Sequence, residues 1–263
     1  MNTERTIRNQ AKKLLEGNWI TIISSIAVLC ASLILMQSIL LLTMFVCNVI
    51  DFNTFEIIKS KEWIAGCIFI GIYFLAFLLS PLINGIYKIV CNISINQKGY
   101  ITDIFYFFGR RKYIKTLCLN LVISTIFFLV CTVFDFYSYV SYFAETMLKE
   151  NPFFGIIINI LLAVLWMVSE AAKIFAYLVF VHYSLIAYSF NDSMQLKEYV
   201  IGMYSFSFRN LGAALKMLLG FAGWIALCFF VVPALYVLPY IMTSMTVSAK
   251  WLFALDKDRG LLC

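Results

Sequence analysis

Charged side chains are scarce in this sequence. They make up 13% of its 263 residues, against about 25% in soluble domains. So few cannot solvate the surface of a chain this long, which argues against a soluble globular fold. Histidine is almost absent, with His182 alone. The eight cysteines include no C-x-x-C pair, and zinc or disulfide frameworks need clustered spacing. No metal and no cofactor are therefore expected. No G-x-S-x-G, Walker loop or G-x-G-x-x-G occurs, and no nucleophile–base pair stands out, so the chain does not read as an enzyme. The net charge is +6, but the basic residues lie between apolar runs, without the aromatic-basic signature of a nucleic-acid module.

Apolar residues take up the space, at 63% of the chain. Crossing a bilayer takes about 20 of them in succession. Six runs qualify: residues 19–49, 63–89, 116–134, 153–190, 211–232 and 233–255. The expected fold is all-α, a polytopic membrane bundle over 19–255, with an amphipathic helix at 1–18 and a polar tail at 256–263. In the N-terminal helix Ile7, Ala11, Leu14 and Leu15 recur at helical spacing, ringed by Arg5, Arg8, Lys12 and Lys13. It either lies in the headgroup plane, apolar side down, or hinges into the first span. A second surface helix is expected over 193–210. Pro81 should kink the second span. The run after residue 18 is too long for a signal-peptide core of 7–15 residues, so insertion through an uncleaved first span is expected.

Lysine and arginine give the orientation. With the N-terminus inside and six crossings, the inner segments hold 16 of them and the outer loops three. Such asymmetry places both termini in the cytoplasm. The connector 88–115 carries six, including Arg110, Arg111 and Lys112, beside Phe105, Tyr106, Phe107 and Phe108. That mixture suits the membrane surface and anionic headgroups. Cys47, Cys67, Cys131 and Cys228 should fall near the outer face, where one disulfide could form.

Candidate chemistry concentrates in residues 153–190. Their only formal charges are Glu170 and Lys173, three residues apart and costly in hydrocarbon. At 100° per residue, Asn159, Glu170, Lys173, Tyr177, Ser184 and Tyr188 share a sector of about 60°. The stripe should face a bundle interior or wet cavity. It either knits helices together or binds, with Glu170 as a proton or cation site and Lys173 as its partner or an anion anchor. Asn84, on a polar stripe with Tyr73, Ser80, Tyr87 and Cys91, is a further candidate. His182 falls off the stripe and reads as packed. Residues 153–190 form one long helix or two pieces broken near Ser169. Two full crossings would put the basic segment 190–216 outside, which the charge count disfavours.

Several short motifs carry a resemblance: Pro81-Leu82 with Gly85; Tyr183 with Ala187-Tyr188 and Asp192; Ser205 and Arg209-Asn210; Phe221-Ala222-Gly223-Trp224; and Pro239-Tyr240. On them the chain resembles a family of bacterial multi-pass membrane proteins of unknown function, number 975 of its series, over about two thirds of its length. The resemblance implies a helical bundle in the bacterial cytoplasmic membrane and assigns no activity. Where that family has a Pro-Gly break, this chain has Ser169-Glu170-Ala171-Ala172 before Lys173, which favours a continuous helix. Two functions follow: a transporter-like or ligand-binding membrane protein using the stripe, or a non-catalytic scaffold subunit for another membrane protein or anionic lipid.

Overall fold

The computed structural model describes residues 3–51, 56–135, 137–138, 140–141, 152–177, 181–191, 193, 195–221, 223–224 and 231–258. Helix dominates. The only β pairing among the described residues is one isolated bridge, Ile50 to Ile57. The chain divides into two compact units, Met1–Asn120 with Gly223–Val247, and Leu121–Ala222 with Ser248–Cys263.

In the first unit, helix α1 (Thr3–Leu15) buries Ile7, Ala11 and Leu15, the i, i+4, i+8 face of one helix. Leu15 joins Leu82, Ile86, Ile89, Val90 and Ile93 in a single core. The apolar side of α1 is therefore covered by protein and does not lie in lipid, contrary to the surface-helix expectation. Gly17, at φ +81°, ends α1 in the left-handed conformation that glycine adopts most cheaply. Asn18 Nδ2 donates to the Leu14 carbonyl at 3.0 Å, and α2 (Trp19–Val46) begins.

The expected kink at Pro81 is a complete break between α3 (Glu62–Leu78) and α4 (Pro81–Ser94). Proline sits well in a first helical turn because it lacks an N–H. Around the break the Leu82 N–H donates to Leu79, one residue short of α-helical register. The Leu78 carbonyl accepts instead from the Tyr113 hydroxyl, at 3.0 Å. Gly85 lets α4 touch a 3-10 segment, Ile101–Phe108, whose Ile104 carbonyl would overlap any added Cβ. Asp103 pins that segment, accepting from Asn92 Nδ2 at 3.2 Å and from the Tyr100 N–H at 3.3 Å. Helix α5 (Arg110–Val133) then starts at the basic run. Lys112 is folded over the Tyr106 ring, 3.6 Å from its centroid, rather than reaching out to headgroups.

In the second unit α6 (Pro152–Tyr177) runs unbroken through Ser169. Its described residues end at Tyr177, residues 178–180 lie outside the described set, and Val181 and His182 form a wide turn. Helix α7 (Tyr183–Phe190) follows, then α8 (Leu196–Arg209), α9 (Leu211–Leu219) and the last part of α10 (Val231–Asp258). Tyr199, Met203 and Phe206 are the buried face of α8, as the amphipathic pattern over 193–210 implied. Phe206 stacks on Phe253 with centroids 4.0 Å apart. Two residues of the resemblance motifs grip one buried carboxylate: Asp256 is 3.3 Å from Arg209 and accepts from Asn210 Nδ2 at 3.1 Å. The expected free tail from 256 therefore starts inside a helix. Residues 259–263 lie outside the described set.

Among the described residues, four helical stretches are long and apolar enough to cross a membrane: Trp19–Val46, Lys59–Ser94, Arg110–Val133 and Ile157–Ile174. Six were expected. Much of the fifth, 225–230, lies outside the described residues. The sixth meets an observation that does not fit its expected start at the outer face. Trp19, at the start of the first span, stacks on Tyr236 with centroids 4.5 Å apart. Tyr240 and Met242 pack against the core around Leu15. The beginning of α10 thus lies level with the beginning of α2, whereas six crossings would set them about 30 Å apart.

Candidate functional site

The central pair is present and has a third member. Lys173 Nζ lies 3.1 Å from Glu170 Oε1 and 3.3 Å from Asp135 Oδ1. Glu170 and Lys173 meet because i and i+3 share a helix face. Asp135 arrives just beyond the C-terminal end of α5, where the helix dipole disfavours an anion. Lys173 relieves that. Two hydroxyls hold the geometry: Ser138 Oγ donates to Asp135 Oδ2 at 2.7 Å, and the buried Ser169 Oγ donates to the Phe134 carbonyl at 2.8 Å. The Ser138 bond is the main reason the Asp135 carboxyl titrates below the usual carboxylate range. Partial desolvation opposes it and Lys173 adds to it.

The side chains of Lys173, Asp135 and Glu170 are 28%, 32% and 43% exposed. Asp135 and Lys173, but not Glu170, border an open depression of about 480 Å³, lined also by Phe128, Cys131 and Thr132. The group therefore sits at the end of α5, partly wet. Of the two expected surroundings, bundle interior or wet cavity, the open depression is nearer the second; the register between α5 and α6 that brings Asp135 to the pair is not written in either helix alone. Two carboxylates on one ammonium leave a formal charge of −1, so the group favours a cation or a proton over an anion. Among the described residues no three His, Cys, Asp or Glu side chains come together.

The rest of the predicted stripe disperses. Asn159 is exposed, 14 residues and about 21 Å along α6 from Lys173. It borders a separate depression of about 330 Å³ with Tyr137, Leu162, Ala163 and Trp166. Tyr177 is near the charged group, edge-on to Phe127 with centroids 6.1 Å apart. Ser184 and Tyr188 are buried in α7, and the Tyr188 N–H donates to the Tyr199 hydroxyl at 3.0 Å. The wide turn at Val181 and His182 does not keep the 100° phase that the wheel assumed. His182 is buried between the Tyr177 and Tyr183 rings, packed as expected.

Asn84 belongs to the first unit and serves packing. Asn120 Nδ2 donates to Asn84 Oδ1 at 2.8 Å and to Ser80 Oγ at 2.9 Å. Its predicted stripe does not hold across the Pro81 break: Tyr87 and Cys91 are buried, while Tyr73 is 70% exposed. Cys47, Cys67 and Cys131 carry free thiols, and Cys228 lies outside the described residues. Sequence reasoning missed Asp135, Ser138 and Tyr113. Asp135 had a signal: an acid at a helix C-terminus calls for a nearby cation.

Among the described residues, the chain is helical, with four membrane-compatible helices and a charged group at the end of one of them. No family model, curated protein or solved structure matches it.

Proposed function

We propose that the chain is a multi-pass protein of the bacterial cytoplasmic membrane that binds a small cation, or takes up a proton, at Asp135, Glu170 and Lys173, in the manner of a transporter or ligand-binding membrane protein. The observation that carries this reading is two carboxylates sharing one ammonium, with Asp135 and Lys173 of the three on an open depression. A pair kept only for structure needs no second acid. The chain is not an enzyme on this reading.

The test uses full-length protein in neutral detergent, titrated with Na⁺, Mg²⁺ or methylammonium while thermal unfolding is followed. At least one cation should raise the unfolding temperature. Asp135→Asn and Glu170→Gln should each weaken that effect about tenfold, the scale of one charge-assisted contact. Lys173→Met, which leaves two acids face to face, should shift preference toward Mg²⁺. No cation effect in the wild type, or an effect untouched by both acid variants, sinks the reading. Stoichiometric co-purification of another membrane protein would then favour the scaffold alternative.

Both termini are placed on the cytoplasmic side, with four crossings in place of six. The basic-residue asymmetry supports the side, and the Trp19–Tyr236 stack supports the number. Leu235, which is 48% exposed, decides it. In a cysteine-free background, Leu235→Cys should resist a membrane-impermeant thiol reagent applied to whole cells, while Cys47 restored alone should react. Labelling of both restores the six-crossing count.

A further inference from the structure

We infer that the end of the first unit around residues 95–111 is a docking surface for anionic phospholipid headgroups. Three observations converge there. The first is local cost. Arg110 and Arg111 stand in the first turn of α5, which holds no acid, although the helix dipole disfavours cations at that end. Both are exposed, so no protein anion repays the cost. Lys98 is exposed on the same connector, and Lys12 and Lys13 are exposed on α1. The cores of α1, α4 and the 3-10 segment are one cluster.

The second is the distribution of apolar side chains. The 3-10 segment buries Ile104 and Phe107 against α4 but leaves Ile101 at 44% and Phe105 at 56% exposure, with Tyr100 at 59%. Aromatic rings beside basic residues match the headgroup–acyl boundary, where each finds its own kind of partner. The third is position. The segment joins the end of the apolar stretch Lys59–Ser94 to the start of Arg110–Val133, so two crossings hold it at headgroup level. A soluble anion would meet the arginines but leave the rings unused. An anionic lipid satisfies both at once.

Lys112 is not among these ligands, being held over Tyr106. Its ammonium and that of Lys88, 5.0 Å from the same ring centroid, stiffen the segment from behind. Rigid support of this kind makes headgroup selection a property of the fold rather than of loose charge.

The experiment uses the full chain in neutral detergent, offered equal amounts of dioleoylphosphatidylglycerol and dioleoylphosphatidylcholine, with retained lipid counted by native mass spectrometry. The wild type should keep the anionic lipid over the zwitterionic one by about tenfold, given roughly fivefold per basic contact. Arg110→Ala with Arg111→Ala should cut that preference at least about fivefold. Unfolding temperature should not fall, because removing cations from a helix N-terminus relieves the dipole. Phe105→Ser should lower retention of both lipids and leave the preference between them. Excess glycerol phosphate should fail to displace the lipid. Equal retention of the two lipids by the wild type, an unchanged preference in the double variant, or displacement by glycerol phosphate alone would overturn the inference.

Discussion

Helices α2 and α4 belong to one unit and are treated oppositely by it. The apolar window of α2 has a mean hydropathy of 2.4 and is only 11% buried. Helix α4 carries Asn84, Lys88, Asn92 and Ser94, yet eleven of its 14 residues are buried. The second unit repeats the contrast: Ile157–Ile174 is 6% buried, whereas the seven residues from Tyr183 to Ser189 are all buried. In water the apolar helices would be inside. A fold that bares its oiliest helices and hides its polar ones is compatible with a solvent that cannot hydrogen-bond, where helix association relies on packing, small residues and polar contacts.

The sharpest way to break the comparison is a charge on the bare side. Ile34, near the middle of α2, is 66% exposed. If that face meets lipid, Ile34→Asp should cost about 3 kcal/mol of insertion free energy, read as loss of the membrane-integrated fraction. If it meets water, the change should be nearly silent. Next comes a glycine contrast. Gly85→Ala drives a methyl into the Ile104 carbonyl and should lose about 2–3 kcal/mol in detergent unfolding. Gly66→Ala and Gly71→Ala on α3, with nothing near the added carbon, should be neutral or stabilise by up to about 1 kcal/mol.

Smaller effects refine the picture. Tyr113→Phe strips the Leu78 carbonyl of its donor and should cost about 1 kcal/mol, because the Pro81 break leaves that oxygen no helical partner. The smallest effect is a pH dependence. Asp135 has a lowered folded-state pKa, so its contribution is fully present above the ordinary aspartate value, near about 3.9, and disappears as pH falls through the folded one. The unfolding-temperature gap between wild type and Asp135→Asn should stay constant from pH 8 to 5 and close only in stronger acid. A gap that closed near pH 6 would mean the carboxyl is not held by Ser138 and Lys173.

The amphipathic face of α8 was legible from spacing alone, since Tyr199, Met203 and Phe206 recur at the helical period. So was the Glu170–Lys173 contact, because three residues of helix bring two side chains together whatever surrounds them. The face of α1 was legible as apolar, but its partner was not: lipid and the core around Leu15 make the same demand on Ile7, Ala11 and Leu15. The stripe assumed one phase from Asn159 to Tyr188, which the wide turn at Val181 and His182 does not keep.

By itself, then, the order of residues determined helix, apolar runs, charge asymmetry and the pairing of near neighbours, because these depend on intervals of a few residues and on solvent affinity. Tertiary structure alone decided that Asp135 completes the group at Lys173, that Tyr113 repairs the Pro81 break, and that α10 begins beside Trp19. Each joins positions tens or hundreds of residues apart, and packing between helices, with no period to betray it, sets which of them meet.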